Sequence, residues 1–91
     1  MNDTLQQLSD NSTECGSNYI RAKENWIIGR HAPDLGKKGH ALGLLYDTAL
    51  DKLIAALEAL LPTKLVLAQL QVALGDKLRL EKDLKILAAQ G

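Results

Sequence analysis

Phenylalanine is absent from this chain, and its aromatic residues are only Tyr19, Tyr46 and Trp26. Sheets draw on aromatic and β-branched side chains, so their scarcity argues against a sandwich or barrel. Cysteine occurs once, at Cys15, which excludes an intramolecular disulfide. No run of 18 residues is free of charge, and Leu57–Leu74 is interrupted by Glu58 and Lys64, so a transmembrane helix is not expected. The first residues lack a basic stretch followed by an apolar run, so no signal peptide is expected and the default location is cytoplasmic. Without a secretory route, the triplets Asn2-Asp3-Thr4 and Asn11-Ser12-Thr13 are chance matches to a glycosylation signal. Net charge is also lacking: 11 basic residues balance 11 acidic ones, which argues against a nucleic-acid binder held by charge alone.

What is present is leucine and alanine. The chain has 91 residues, 46% of them apolar, and these two residue types favour helix. A single domain of this size buries a limited share of its surface, and self-association is a common way to enlarge such a core. The balanced charge is unevenly placed. Residues 1–20 carry Asp3, Asp10 and Glu14 and no base, whereas residues 21–40 carry Arg21, Lys23, Arg30, Lys37 and Lys38 against Glu24 and Asp34.

Residues 1–16 are polar and predict a flexible N-terminal arm, in which Thr4 and Gln7 could cap a short helix carrying Leu5 and Leu8. Ser17 then suits the N-cap of a helix over 17–28, with Tyr19, Ala22 and Trp26 on one stripe and Gly29 as its C-cap. Residues 29–39 hold Pro33, Gly36 and Gly39 with Arg30, His31, Lys37 and Lys38, and predict a basic loop. A long antiparallel hairpin over 40–91 follows, with helices at about 40–60 and 64–89 folded at Pro62 and the second capped by Thr63. One long helix kinked at Pro62 is the competing reading. In the second helix Val66, Leu70, Ala73, Lys77, Leu80, Leu84 and Leu87 alternate steps of four and three, a heptad seam with one polar occupant. Leu67, Leu74 and Leu78 broaden that seam beyond what a two-stranded coiled coil needs. Pairs such as Arg79–Asp83 and Glu81–Lys85 cover the outer faces. The fold class expected is all-α: a short N-terminal helix plus the hairpin, assembling through the seam as a homodimer or homotetramer.

No residues combine into a recognisable catalytic, cofactor or metal site. Cys15, His31 and His40 are separated by 16 and 9 residues, unlike the short ligand spacings of zinc sites. A Cys–His nucleophilic pair has no visible third group to orient it. Gly36-Lys37-Lys38 fails the phosphate-loop pattern, which needs Gly-Lys-Ser/Thr. Candidate partner-binding residues are Tyr19 and Trp26, which also suit a core, and the basic trio Arg30, Lys37 and Lys38.

The leading functional expectation is a non-enzymatic, oligomeric helical regulator that binds another protein. Small chains of this character include phage and mobile-element antirepressors, which inactivate a DNA-binding repressor; the analogy is one of size, with no matched motif. The alternatives are a nucleic-acid-binding protein using residues 21–40, and a small helical chaperone or structural protein.

Overall fold

The computed structural model describes residues 5–90. Three helices account for nearly all of them: α1 over Leu5–Ile28, α2 over Pro33–Glu58 and α3 over Lys64–Gln90. There is no strand among the described residues. The molecule measures 45 × 26 × 17 Å.

The first helix is twice as long as its apolar content predicts. In place of a flexible arm over 1–16, α1 continues down to Leu5, and Ser17 sits exposed in mid-helix rather than at a cap. The expected Thr4 cap lies outside the described residues. Two features mark the helix through this polar stretch. Hydroxyls turn back onto their own helix: Ser12 and Thr13 both donate to the Ser9 carbonyl, at 2.9 and 3.0 Å. Small residues then bring the helix close to its neighbour. Ser12 and Gly16 are buried, and a Cβ at Gly16 would lie 3.0 Å from the Tyr46 ring.

The basic loop expected over 29–39 shrinks to residues 29–32. Pro33 begins α2, because a proline at the first helical position loses no hydrogen bond and has a helical φ already. Gly36 and Gly39 do not break this helix. They are buried on it, and a Cβ at Gly36 would meet the Trp26 indole nitrogen at 3.1 Å. Gly43 extends the same row: a Cβ there would meet Leu84 at 2.5 Å and the Tyr19 ring at 3.1 Å. Gly29 is not the left-handed residue of the turn. That conformation falls on Arg30 and His31, at φ 57° and 63°. His31 gains a stacked contact with Trp26, ring centroids 4.1 Å apart. Its amide donates to the Trp26 carbonyl at 2.9 Å.

Leu60 and Leu61 fall beyond the end of α2 and are exposed, in a break that contains Pro62. Thr63 caps α3 as its place after the proline predicts, accepting from the Val66 amide at 3.2 Å.

The core is one cluster built on α2. Leu50 and Ile54 pack with Tyr19 and Trp26 from α1 and with Ala73, Leu80 and Leu87 from α3. Partner numbers on α3 fall as those on α2 rise: Gly39 faces Leu87, Gly43 faces Leu84, and Asp47 and Asp51 reach Lys77. Both outer helices pack on α2, yet no Cα of α1 comes within 8 Å of a Cα of α3 among the described residues.

Two substitutions test this backbone account. Arg30→Gly relieves a left-handed conformation and raises stability by roughly 0.5–1 kcal/mol, read as a higher midpoint in thermal unfolding. Gly75 has nothing within 4 Å of a built Cβ, so Gly75→Ala stabilises by about 1 kcal/mol, whereas Gly43→Ala destabilises through its clash with the Tyr19 ring and Leu84.

Candidate protein-binding surface

Of the two aromatic candidates, neither is available to a partner. Tyr19 is 3% exposed and Trp26 is 5% exposed, and both belong to the core. The Trp26 indole N–H has no hydrogen-bond partner there. Its neighbour is the bare backbone of Gly36, which explains why a large ring fits in so thin a molecule.

The seven seam residues point into the chain's own core rather than outward. Ala73, Leu80 and Leu87 are buried, Leu70 and Leu84 pack against them, and Val66 is half-buried. Within the single chain, this seam is covered by α1 and α2. Lys77, its polar occupant, binds Asp51 and Asp47 across to α2 and stands 4.0 Å from Glu81. The Asp51 hydrogen bond, ahead of the opposing effect of burial, holds its pKa above the ordinary lysine value. Leu67, Leu74 and Leu78 do not widen the buried seam; they are exposed on the flank of α3.

The basic trio is at the surface. Arg30, Lys37 and Lys38 are all exposed, around the α1–α2 turn. Contacts of Trp26 with Gly36, Gly39 with Leu87 and Gly43 with Leu84 gather residues 20–45 and 78–90 at this end of the molecule. This turn end carries eight bases (Arg21, Lys23, Arg30, Lys37, Lys38, Arg79, Lys82, Lys85) against four acids (Glu24, Asp34, Glu81, Asp83). Residues 5–19 and 46–77 form the other end, with Lys52, Lys64 and Lys77 against Asp10, Glu14, Asp47, Asp51, Glu58 and Asp76. A neutral chain therefore folds into a molecule with one basic and one acidic end.

Near the turn end, α1 and α3 are tied by a single carboxylate. The Tyr19 hydroxyl donates to Asp83 Oδ2 at 3.0 Å and Lys23 Nζ donates to the same oxygen at 2.8 Å. Asp83 is thereby used inside the fold, and Arg79, expected beside it, instead binds Asp76 at 2.5 Å. Burial, then the hydrogen bond to Asp83 and its charge, raise the Tyr19 phenol far above its ordinary value. Burial also raises Tyr46, with Asp76 adding to it.

Towards the acidic end a cleft of about 590 Å³ lies between the two helices. Its floor is Tyr46, Leu50, Leu53 and Leu57 of α2. Leu5, Gln6, Ser9, Ser12 and Thr13 make the α1 wall; Ala68, Gln69, Val72, Ala73 and Asp76 make the α3 wall. Sequence reasoning misses this feature because one wall belongs to the stretch that reads as an arm. The available signal is the spacing Leu5, Leu8, Ser12, Gly16, Tyr19, which continues the Tyr19–Trp26 stripe backwards with small residues.

The chemistry of the remaining candidates stays local. The Cys15 thiol donates to Asn11 Oδ1 at 3.9 Å, within α1. His31 lies on Trp26, and His40 lies beside Lys37, Leu87 and Ala88. Among the described residues no three His, Cys, Asp or Glu side chains come together as a metal site, and no helix is long and apolar enough to cross a membrane.

The Asp83 tie makes a pH prediction. The Tyr19 value is raised on folding, so its contribution is complete below pH 10.0, the ordinary phenol value, and is lost as pH rises towards the folded-state value. Tyr46 and Lys77 act with the same sign. Stability therefore falls in alkali. Tyr19→Phe loses about 1–2 kcal/mol at neutral pH but falls less steeply above pH 10.0, as denaturant titrations across pH would show. No protein-family model matches the chain, and neither a curated protein nor a solved structure shows significant similarity to it.

Proposed function

We propose that this chain is a non-enzymatic helical regulator of the cytoplasm that acts as a homo-oligomer by binding another protein. One observation supports the reading above the others: the fold leaves large apolar side chains outside its core. Leu67, Leu74 and Leu78 line the flank of α3, and Ile20, Ile27 and Ile86 stand half exposed beside the Asp83 tie. A small helical chain with apolar groups on two separate faces is suited to one contact with itself and one with a partner. An antirepressor is a special case of this reading, in which the bound partner is a DNA-binding repressor.

The test is capture from the native host with the tagged chain, followed by direct binding of the purified partner. The expected result is one protein that binds the wild type and loses affinity for a Leu74→Asp, Leu78→Asp variant that still folds. A partner bound equally by both would remove the α3 flank from the account, and light scattering that finds only monomer at micromolar concentration would remove the oligomer.

The basic end favours a second reading. Arg30, Lys37 and Lys38 are exposed together around one turn, an arrangement that can meet nucleic-acid phosphates. Binding of this kind weakens steeply with salt and is reduced by replacing the three residues together. Absence of a mobility shift at low salt would dispose of it.

A further inference from the structure

We infer that the α1–α2 turn docks a single-stranded nucleic acid, with one base stacked on the outer face of His31 and the neighbouring phosphates on Arg30, Lys37 and Lys38. The inference deepens the nucleic-acid reading of the basic end and rests on it.

The turn closes α1 in a way that ordinarily calls for glycine. The Arg30 amide donates to the Ile27 carbonyl at 3.1 Å, and the His31 amide to the Trp26 carbonyl at 2.9 Å. These paired bonds close a helix through a left-handed position that glycine usually fills. Here Arg30 and His31 are left-handed in succession, at φ 57° and 63°, while Gly29 beside them is not. A side chain disfavours that backbone, because its Cβ crowds the following carbonyl. Outliers of this kind gather at ligand clamps and switches.

His31 offers one aromatic face. Its ring stacks on Trp26 with centroids 4.1 Å apart and planes 17° from parallel. Trp26 is buried in the core, so the imidazole rests on a fixed base. His31 itself is exposed. With its inner face closed by the indole, the ring is open to a flat ligand only on its outer side.

The cations frame that ring. Arg30 directly precedes His31. At the nitrogen edge of the same indole, a Cβ on Gly36 would lie 3.1 Å away, and Lys37 and Lys38 follow Gly36 on α2. One tryptophan thus anchors both the stacking ring and the start of the basic pair. Residues 30–38 carry three bases against one acid, Asp34. All three bases are exposed, and none is in an ion pair among the described residues, whereas Lys23, Lys77 and Arg79 are paired within the fold.

This pairing of groups selects the ligand. Unpaired cations suit phosphates. A free aromatic face suits a base, since every base has a π-face of its own. An acidic peptide answers the cations alone. A duplex also offers phosphates, but its base faces are already stacked on one another. A single strand, whose bases can splay out onto aromatic side chains, supplies both contacts.

The test is binding of the full chain to a labelled oligothymidylate of about 12 nucleotides, followed by fluorescence anisotropy across a salt series. Three phosphate contacts at roughly −0.7 each give an expected slope of about −2 in log affinity against log salt. Replacing Arg30, Lys37 and Lys38 together by Gln is expected to flatten that slope. His31→Asn removes the ring but tolerates the left-handed backbone, and is expected to keep both the slope and the helix content. It is expected to weaken binding at least about fivefold, the lower end of what one stacked base contributes. An abasic strand of the same length is expected to bind the wild type and His31→Asn alike. An abasic strand or a duplex bound by the wild type as tightly as oligothymidylate overturns the stacking site and leaves the phosphate contacts standing, as does unchanged affinity in His31→Asn. Polyglutamate bound as tightly as oligothymidylate assigns the turn to an acidic protein and overturns the inference. Absence of binding to any strand at low salt overturns the inference and the nucleic-acid reading together.

Discussion

A row of glycines on α2 governs how the other two helices can sit. Gly36, Gly39 and Gly43 follow at steps of three and four, and each gives up a side chain where a neighbour presses in: Trp26, Leu87, and then Tyr19 with Leu84. Helix-interior glycine is unfavourable by about 1 kcal/mol relative to alanine. That penalty is offset here by burying Trp26, Tyr19 and Leu87 almost completely against a bare backbone. With both outer helices drawn onto α2, neither approaches the other closely enough for backbone contact, and what lies between α1 and α3 depends on side chains alone.

Those side chains differ along the length of the molecule. Where Tyr19 and Lys23 meet Asp83, the gap is bridged by two hydrogen bonds to one carboxylate oxygen at a part-buried site. Towards the other end the cleft is walled by Leu5, Gln6, Ser9, Ser12 and Thr13 of α1 and by Ala68, Gln69, Val72, Ala73 and Asp76 of α3. The result is a cleft with an apolar floor and hydroxyl-bearing walls, continuous with projecting isoleucines. The same division separates charge. Bases outnumber acids in the half of the molecule whose turn exposes Arg30, Lys37 and Lys38, and acids outnumber bases in the half that holds the cleft. Shape and charge are thus graded in the same direction.

Helix class, the break at Pro62 and the Thr63 cap can be read from sequence because each depends on local chemistry: propensity, a missing amide, a hydroxyl acceptor. The heptad seam is also legible as an apolar face, but its partner is not. A heptad spacing says only that a helix face is buried, and here α1 and α2 of the same chain bury it. The errors cluster where tertiary packing reverses local preference. Residues 5–16 read as an arm because Ser12 and Gly16 are poor helix formers, yet they are valuable where a neighbour must come close. Residues 33–39 read as a loop because Pro33, Gly36 and Gly39 break isolated helices, whereas a proline at the first position and glycines under Trp26 and Leu87 do not break this one. The cleft has one wall in the first misread segment, and so was not visible before the helix was.

Hydrogen exchange of the backbone amides in residues 5–16 tests the central claim most directly. If this segment is the lower half of α1, packed on Tyr46 and walling the cleft, its amides from Ser9 onward share the protection of Tyr19 to Trp26. Exchange of those amides at the rate of an unstructured chain, with protection beginning only near Ser17, would contradict the account and remove the cleft with it.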